Sequence, residues 1–209
     1  MSTPPSRRYL DRPPRPLLVV LSGPSGAGKD AVLGRMKETG CPVTHIVTLT
    51  TRPRRPAERE GVDYRFISAA DFRRMAEAGE LLESANVYGN WYGMPRGDIK
   101  RVLDAGRDAI IRVDVQGAAT YRRLLPQAVF IFLTPPSVEE LMERLRQRRT
   151  ESVFDLELRL KTAEAEYDRI PMFDYLVFNR RDQVDRAVAD IMAIITAEKS
   201  RAVPREVSL

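Results

Sequence analysis

The sequence predicts an α/β fold, a doubly wound parallel sheet arranged around a phosphate-binding loop (P-loop). Three observations carry that expectation. Leu17 to Ser22 is an apolar run of strand length that leads directly into Gly23-Pro24-Ser25-Gly26-Ala27-Gly28 and Lys29. Ala109–Val115 and Ala128–Leu133 are further apolar runs of strand length, the second without a polar residue, as expected of strands buried on both faces. Between and after these runs apolar residues recur at helical spacing, so strands and helices alternate as they do in a parallel sheet.

The first strand, glycine-rich turn, Lys29 and following helix stand in the order that makes a phosphate loop. Gly26 and Gly28 let backbone N–H groups turn inward without a Cβ clash. The start of the helix adds unpaired N–H groups and the positive end of its dipole. Lys29 supplies a point charge for the β- and γ-phosphates of a nucleotide. That helix, with Val32, Leu33 and Met36 inward, stops near Gly40. Val43 to Leu49 reads as the second strand, with His45 as an alternation residue rather than a ligand or base. Arg52–Gly61, RPRRPAEREG, has two prolines and mixed charge and cannot be a core element; Arg52 and Arg55 can offer planar donor forks to phosphate oxygens. Val62–Ile67 alternates as a short strand, and Ser68 caps a helix through Phe72, Met75 and Ala76 to Gly79. Leu81–Val87 and Trp91–Met94 form a hairpin-like pair around Gly89-Asn90. Residues from about 50 to 94 are thus a strand-rich insertion after the second strand of the sheet.

Regular alternation then resumes. Asp98–Leu103 is helical, Ala109–Val115 a strand, and Ala118–Leu125 a helix ended by Pro126. After the strand Ala128–Leu133, Ser137 opens a helix whose first turn carries Glu139 and Glu140, the sign the dipole favours. A charged stretch, Arg144–Glu151, leads into a second charged helix from about Ser152 to Ile170. Tyr175–Phe178 is the last strand and Val184–Ile195 the last helix.

Composition narrows the function. The net charge of +5 sits mostly at the ends: Arg7, Arg8, Arg12 and Arg15 against Asp11, and Arg201 and Arg205 against Glu206. The body is close to neutral, which argues against a nucleic-acid partner. No run approaches the ~18 apolar residues of a membrane span. The lone Cys41 cannot form an internal disulfide, so a reducing, cytoplasmic setting is expected. Residues 1–16 hold five prolines and read as a disordered Pro/Arg-rich arm, 17–199 as the folded domain and 200–209 as a flexible tail.

GPSGAGK is followed by TTRPRR with Gly61-Val62-Asp63-Tyr64 downstream, then Glu83, YGNWYG, VDVQGA, a PPS-led helix and Asn179. In this order and spacing the chain resembles the guanylate kinases, from Leu17 to about Lys199. The resemblance implies a P-loop nucleoside monophosphate kinase with an ATP-binding core, an inserted GMP-binding lobe at about 50–94 and a helical lid at about 148–163. It implies ATP and Mg²⁺ as cofactors and GMP as substrate; dGMP acceptance and oligomeric state stay open. The loop residues Gly23, Pro24, Ser25, Gly26, Ala27, Gly28, Lys29 and Asp30, with Asn179, would bind ATP. Arg52, Arg55, Tyr64 and Tyr92 would grip the GMP phosphate, and Thr48, Glu83, Met94 and Asp114 would line the base. Lys29, Arg52, Arg148 and Arg159 would act on the transferring group, the last two from the lid.

The chemistry of guanine suits Glu83. Its N1–H and N2 amino group are adjacent donors that one carboxylate can accept, whereas adenine presents an acceptor at N1. Three residues depart from the family pattern. Asp30 stands where a small or hydroxyl residue is usual, Met94 where a Ser or Thr touches guanine, and Arg112 where several members carry an acid. A carboxylate about 4 Å from a phosphate charge is repelled by roughly 4 kcal/mol at an effective dielectric near 20. Asp30 is therefore expected to meet Mg²⁺, directly or through a water, or else to serve the helix dipole facing away. Two other readings compete: a ribose 1,5-bisphosphate kinase, against which the guanine-facing Glu83 weighs, and a non-catalytic protein-binding module, against which the intact Gly28 and Lys29 weigh.

Overall fold

The computed structural model describes residues 15–56, 58–87, 89–147 and 162–209. A central sheet has the order β2-β7-β1-β8-β9, with every neighbouring pair parallel. Its strands are β1 (Leu18–Ser22), β2 (Val43–Ile46), β7 (Asp108–Arg112), β8 (Val129–Thr134) and β9 (Tyr175–Phe178). A second sheet, β4-β3-β6-β5, is built from the short β3 (Leu49–Thr50) and β4 (Arg65–Phe66) and the antiparallel hairpin β5 (Leu81–Val87) and β6 (Asn90–Pro95). The helices are α1 (Lys29–Glu38), α2 (Ala69–Glu77), α3 (Arg96–Asp104), α4 (Val115–Leu124), α5 (Val138–Gln147) and α6 (Val184–Lys199).

β1 and β8 are buried along their whole lengths, as their unbroken apolar sequence requires. Alternation sorts their side chains between two cores. Leu17, Val19, Leu21, Ile131 and Leu133 pack with Val32 and Met36 of α1 and Ile191 of α6. Leu18, Val20 and Phe130 pack on the other face with Ile99 of α3 and Tyr121 of α4. Each large side chain so enclosed contributes about 1.5–3 kcal/mol. These two layers fix the carboxyl ends of the parallel strands, where ligands of open α/β sheets bind.

Local signals held where they were strongest. Ser68 caps α2, its Oγ accepting from Asp71 N at 3.0 Å, and Ser137 Oγ accepts from Glu140 N at 3.2 Å at the start of α5. Three expectations need correction. The strand expected over Val43–Leu49 is two strands in two sheets, because Ile46 pairs with Ile111 while Leu49 pairs with Gly93. The strand expected to reach Val115 stops at Arg112, because Asp114 caps α4 by accepting from Gly117 N at 2.6 Å. The tail expected to be flexible is anchored. Arg205, 12% exposed, donates to Glu198, which is 1% exposed, and Val207 and Leu209 pack against the second core.

Candidate functional site

The loop between β1 and α1 is held in one shape from several sides. Gly23 has φ 139°, and a Cβ there would lie 1.9 Å from the Leu133 carbonyl oxygen. Gly28 has φ 89°, and a Cβ there would lie 2.2 Å from Asn179 Nδ2. At Gly23 the backbone leaves no room for a side chain, and at Gly28 a side chain would force Asn179 aside and strain a backbone that favours glycine. Lys29 Nζ crosses the loop to donate to the carbonyls of Gly23 (2.5 Å) and Pro24 (3.0 Å). Ala27 N donates to Pro24 O at 3.1 Å, which closes the turn that carries Ser25 and Gly26. Asn179, at the end of β9, is buried and donates to Ala27 O at 2.9 Å, so it shapes the loop from behind.

Arg144 completes this support. It donates to Ala27 O (3.4 Å), Asn179 O (2.6 Å) and the Glu140 carboxylate (2.5 Å). Its pairing with Glu140 four residues earlier is visible in the sequence; its reach to the loop is not. A helical segment at 162–167 packs by Ala163 and Tyr167 on Leu141 and Leu145 of α5. Within it Glu166 lies in the field of both Lys29 and Asp114. Burial pushes its carboxyl up to about 7, opposed by the Lys29 charge. Arg148 and Arg159, expected to act on the transferring group, lie outside the described residues.

Beside the loop opens a cavity of about 330 Å³ whose wall includes Arg52, Arg55, Tyr64, Tyr92, Arg112 and Asp30. Arg52 is its anchor. Its Nε donates to Tyr92 Oη at 3.2 Å, and its two terminal nitrogens donate to both oxygens of Glu58 at 2.9 and 2.7 Å. Glu58 also accepts from Arg55 N at 2.8 Å, which folds the Arg52–Gly61 loop back on itself. The Arg52 fork holds the Glu58 carboxyl below the usual carboxylate range, and Glu58 raises Arg52 in turn. The guanidinium also lies 5.4 Å from the Tyr64 ring centroid, and Tyr64 meets Tyr92 edge-on at 5.9 Å. Glu58 carried no sequence signal beyond lying in a charged loop.

The Arg52–Glu58 pair is 13% and 16% exposed. Removing one partner strands a mostly buried charge. Glu58→Ala should therefore lower unfolding stability by about 1–3 kcal/mol, read as a lower urea midpoint with an unchanged slope. An unmoved midpoint would mean that solvent already supports Arg52.

A second set of expected site residues includes Glu83, the third residue of β5. Glu83 is half-buried; burial and then the Asp114 charge push its carboxyl up, and Tyr121 Oη donates weakly to it at 3.5 Å. Tyr121, on α4, carried no sequence signal for this contact. Asp114 spends Oδ1 on its helix cap. Thr48 stands one residue before β3, its carbonyl accepting from Arg65 N at 2.9 Å. Met94 does not join this group. It is 1% exposed and packs in the core with Leu82, Ile99 and Val102.

Asp30 and Arg112, two separate departures in the sequence, meet. Arg112 Nη1 donates to Asp30 Oδ1, and Nη2 donates to the Asp63 carbonyl at 3.3 Å. The expectation that Asp30 either meets a metal or faces away thus meets a third arrangement, an ion pair. Among the described residues no group of three or more His, Cys, Asp or Glu forms a metal cluster. No helix among them is long and apolar enough to cross a membrane.

Comparison with known proteins gives a consistent result. A family model described as guanylate kinase matches residues 15–198. Guanylate kinase 2, chloroplastic/mitochondrial, of Oryza sativa subsp. japonica is 43% identical over 98% of this chain and 72% of its own. The guanylate kinase of Chelativorans sp. (strain BNC1) is 43% identical over 90% of this chain and 85% of its own. The crystal structure of guanylate kinase from Anaplasma phagocytophilum is similar with a TM-score of 0.71 at 31% identity, covering 90% of this chain and 89% of that one.

Proposed function

The chain belongs to the guanylate kinase family and is an ATP:GMP phosphotransferase, and we propose that its two substrates meet across the wall shared by the phosphate loop and the Arg52 cavity. The observation that carries the proposal is that wall. Asp30, the second residue of the helix that follows the loop, lines the cavity that also holds Arg52, Arg55, Tyr64 and Tyr92.

In this proposal the loop amides and Lys29 hold the β- and γ-phosphates of ATP, with Asn179 and Arg144 keeping the loop in shape. Arg52, Arg55, Tyr64 and Tyr92 grip the GMP phosphate. One of its oxygens attacks the γ-phosphorus, the bond to the β–γ bridging oxygen breaks, and ADP and GDP result. The attacking oxygen is already anionic, so positioning and charge neutralisation supply the rate rather than a general base. Glu83 accepts the N1–H and N2–H donors of guanine, with Thr48 and the second oxygen of Asp114 beside the base. When bound, Mg²⁺ would neutralise phosphate charge. Asp30, once free of Arg112, would be the carboxylate to hold it, and one or two carboxylates completed by substrate phosphates and water are the ligand set Mg²⁺ commonly takes. A cytoplasmic location is part of the same proposal, resting on the unpaired Cys41.

Turnover of ATP with GMP, dGMP, AMP and ribose 1,5-bisphosphate as acceptors tests the proposal. GMP should exceed AMP by roughly 10⁴-fold in kcat/KM, because AMP leaves the Glu83 carboxylate facing an acceptor. Comparable rates with AMP or with the sugar bisphosphate would remove the guanine site from the account.

A further inference from the structure

The proposed phosphate grip leaves Arg112 without a task. It ends β7, is 14% exposed on its side chain, and lies with its guanidinium 5.1 Å from the Tyr64 ring centroid. Tyr64 is also the ring under Arg52, so two guanidinium groups lie against one aromatic residue in one cavity. Three guanidinium groups line that cavity, those of Arg52, Arg55 and Arg112.

The carboxylates that share it are engaged differently. Glu58 is locked to Arg52 and to Arg55 N. Asp63 accepts from Arg59 N at 2.8 Å and so closes its own turn. Asp30 alone meets Arg112, and the two members of that pair differ sharply in burial. Arg112 is 14% exposed and Asp30 is 64% exposed. An exposed carboxylate can swing into water at small cost, since exposed ion pairs contribute little. A buried guanidinium left unpaired is costly, so Arg112 needs some anion at all times. A phosphate dianion offers more charge and three acceptor oxygens to the guanidinium fork, and so competes well with one carboxylate.

We propose that Arg112 is a further acceptor-phosphate residue, and that Asp30 is its placeholder, holding the guanidinium aimed into the cavity until the GMP phosphate displaces it. The inference rests on Arg52, Arg55, Tyr64 and Tyr92 being the acceptor-phosphate grip. It also explains why the two departures occur together. An arginine at the end of β7 without a nearby acid would keep only the Asp63 carbonyl and the Tyr64 ring, with no anion to balance its charge in the empty enzyme. Because Asp30 belongs to the helix that follows the ATP loop, release of Arg112 links the two substrate sites.

The test is binding without ATP or metal, with GMP titrated by calorimetry and guanosine by NMR, and thermal melts to confirm folding. Arg112→Gln should weaken GMP about tenfold or more and leave guanosine unchanged, and Arg112→Lys should recover part of the loss. Asp30→Asn should tighten GMP several-fold, because the competitor for Arg112 is gone. That gain should vanish when Asp30→Asn is combined with Arg112→Gln. Equal loss of GMP and guanosine in Arg112→Gln would make Arg112 structural and overturn the inference, as would weaker GMP binding in Asp30→Asn. Arg55→Gln separates the two levels of failure. If it also leaves GMP binding unchanged, the phosphate grip itself is misplaced; if it alone loses the phosphate-dependent affinity, only the role of Arg112 fails.

Discussion

Lys29→Met is expected to lower kcat by about 10²–10³-fold, the usual cost of removing one preorganised donor from the developing charge of a transition state. The ammonium is already carried across the loop mouth by the carbonyls of Gly23 and Pro24, at 2.5 and 3.0 Å. It is therefore fixed, before any nucleotide arrives, where the proposed function puts the ATP phosphates. Methionine keeps the length and apolar stem of lysine and removes only the charge and its donors, so GMP binding, which the proposal assigns to the Arg52 cavity, should change little. Lys29→Arg should not restore the rate, because a planar fork cannot replace a compact point charge in so tight a loop. Steady-state kinetics with both substrates varied, with circular dichroism as a check on folding, would decide the matter. A loss of only a few fold would show that the loop amides carry the phosphates without the lysine.

Glu83→Gln should have the second largest effect, confined to GMP. A glutamine amide can accept one guanine donor but sets its own NH₂ against the other, costing about 1–3 kcal/mol, or roughly 5- to 150-fold in the KM for GMP. The KM for ATP should stay nearly constant. The pH dependence makes the prediction sharper. Burial and Asp114 push the Glu83 carboxyl above the usual range, so it takes up its proton at a higher pH than an ordinary carboxylate does. Guanine needs the ionised form, which has both oxygens as acceptors. GMP binding should therefore be full above that raised value and weaken as pH falls through it, and protons should be released when GMP binds from just below it. In Glu83→Gln this component of the pH profile should disappear. In Asp114→Asn it should move to lower pH, because the repulsive neighbour is gone. A pH profile unchanged in Glu83→Gln would count against the guanine contact.

The parts of the fold that could be read along the chain are those whose causes are local. The loop from Gly23 to Lys29 announces itself because only glycine tolerates the φ of 139° at Gly23 and 89° at Gly28. β1 and β8 show as apolar runs because both faces of the sheet are covered by helices. Ser68 and Ser137 mark helix starts because a side-chain oxygen meets a backbone N–H within three residues. The resemblance to the guanylate kinases added positions for the substrate residues, and the structure brings Arg52, Arg55, Tyr64 and Tyr92 into one cavity.

What remained illegible depends on contacts between residues far apart in sequence. The break of the second strand between Ile46 and Leu49 follows from which strand each half pairs with, β7 or β6, and no alternation pattern encodes that choice. Met94 was expected at the base, yet packing with Leu82 and Ile99 buries it. The last residues were expected to be loose, yet Arg205 finds Glu198 and the Ala128 carbonyl, a partner 77 residues away. By itself, then, the sequence determined the phosphate loop, the order of strands and helices, and the family to which the chain belongs, because each rests on residues adjacent or regularly spaced along the chain. Only the tertiary structure decided that Asp30 and Arg112, 82 residues apart, are partners. An ion pair is set by the distance between two charges in space, and that distance exists only once β1 and β7 lie side by side.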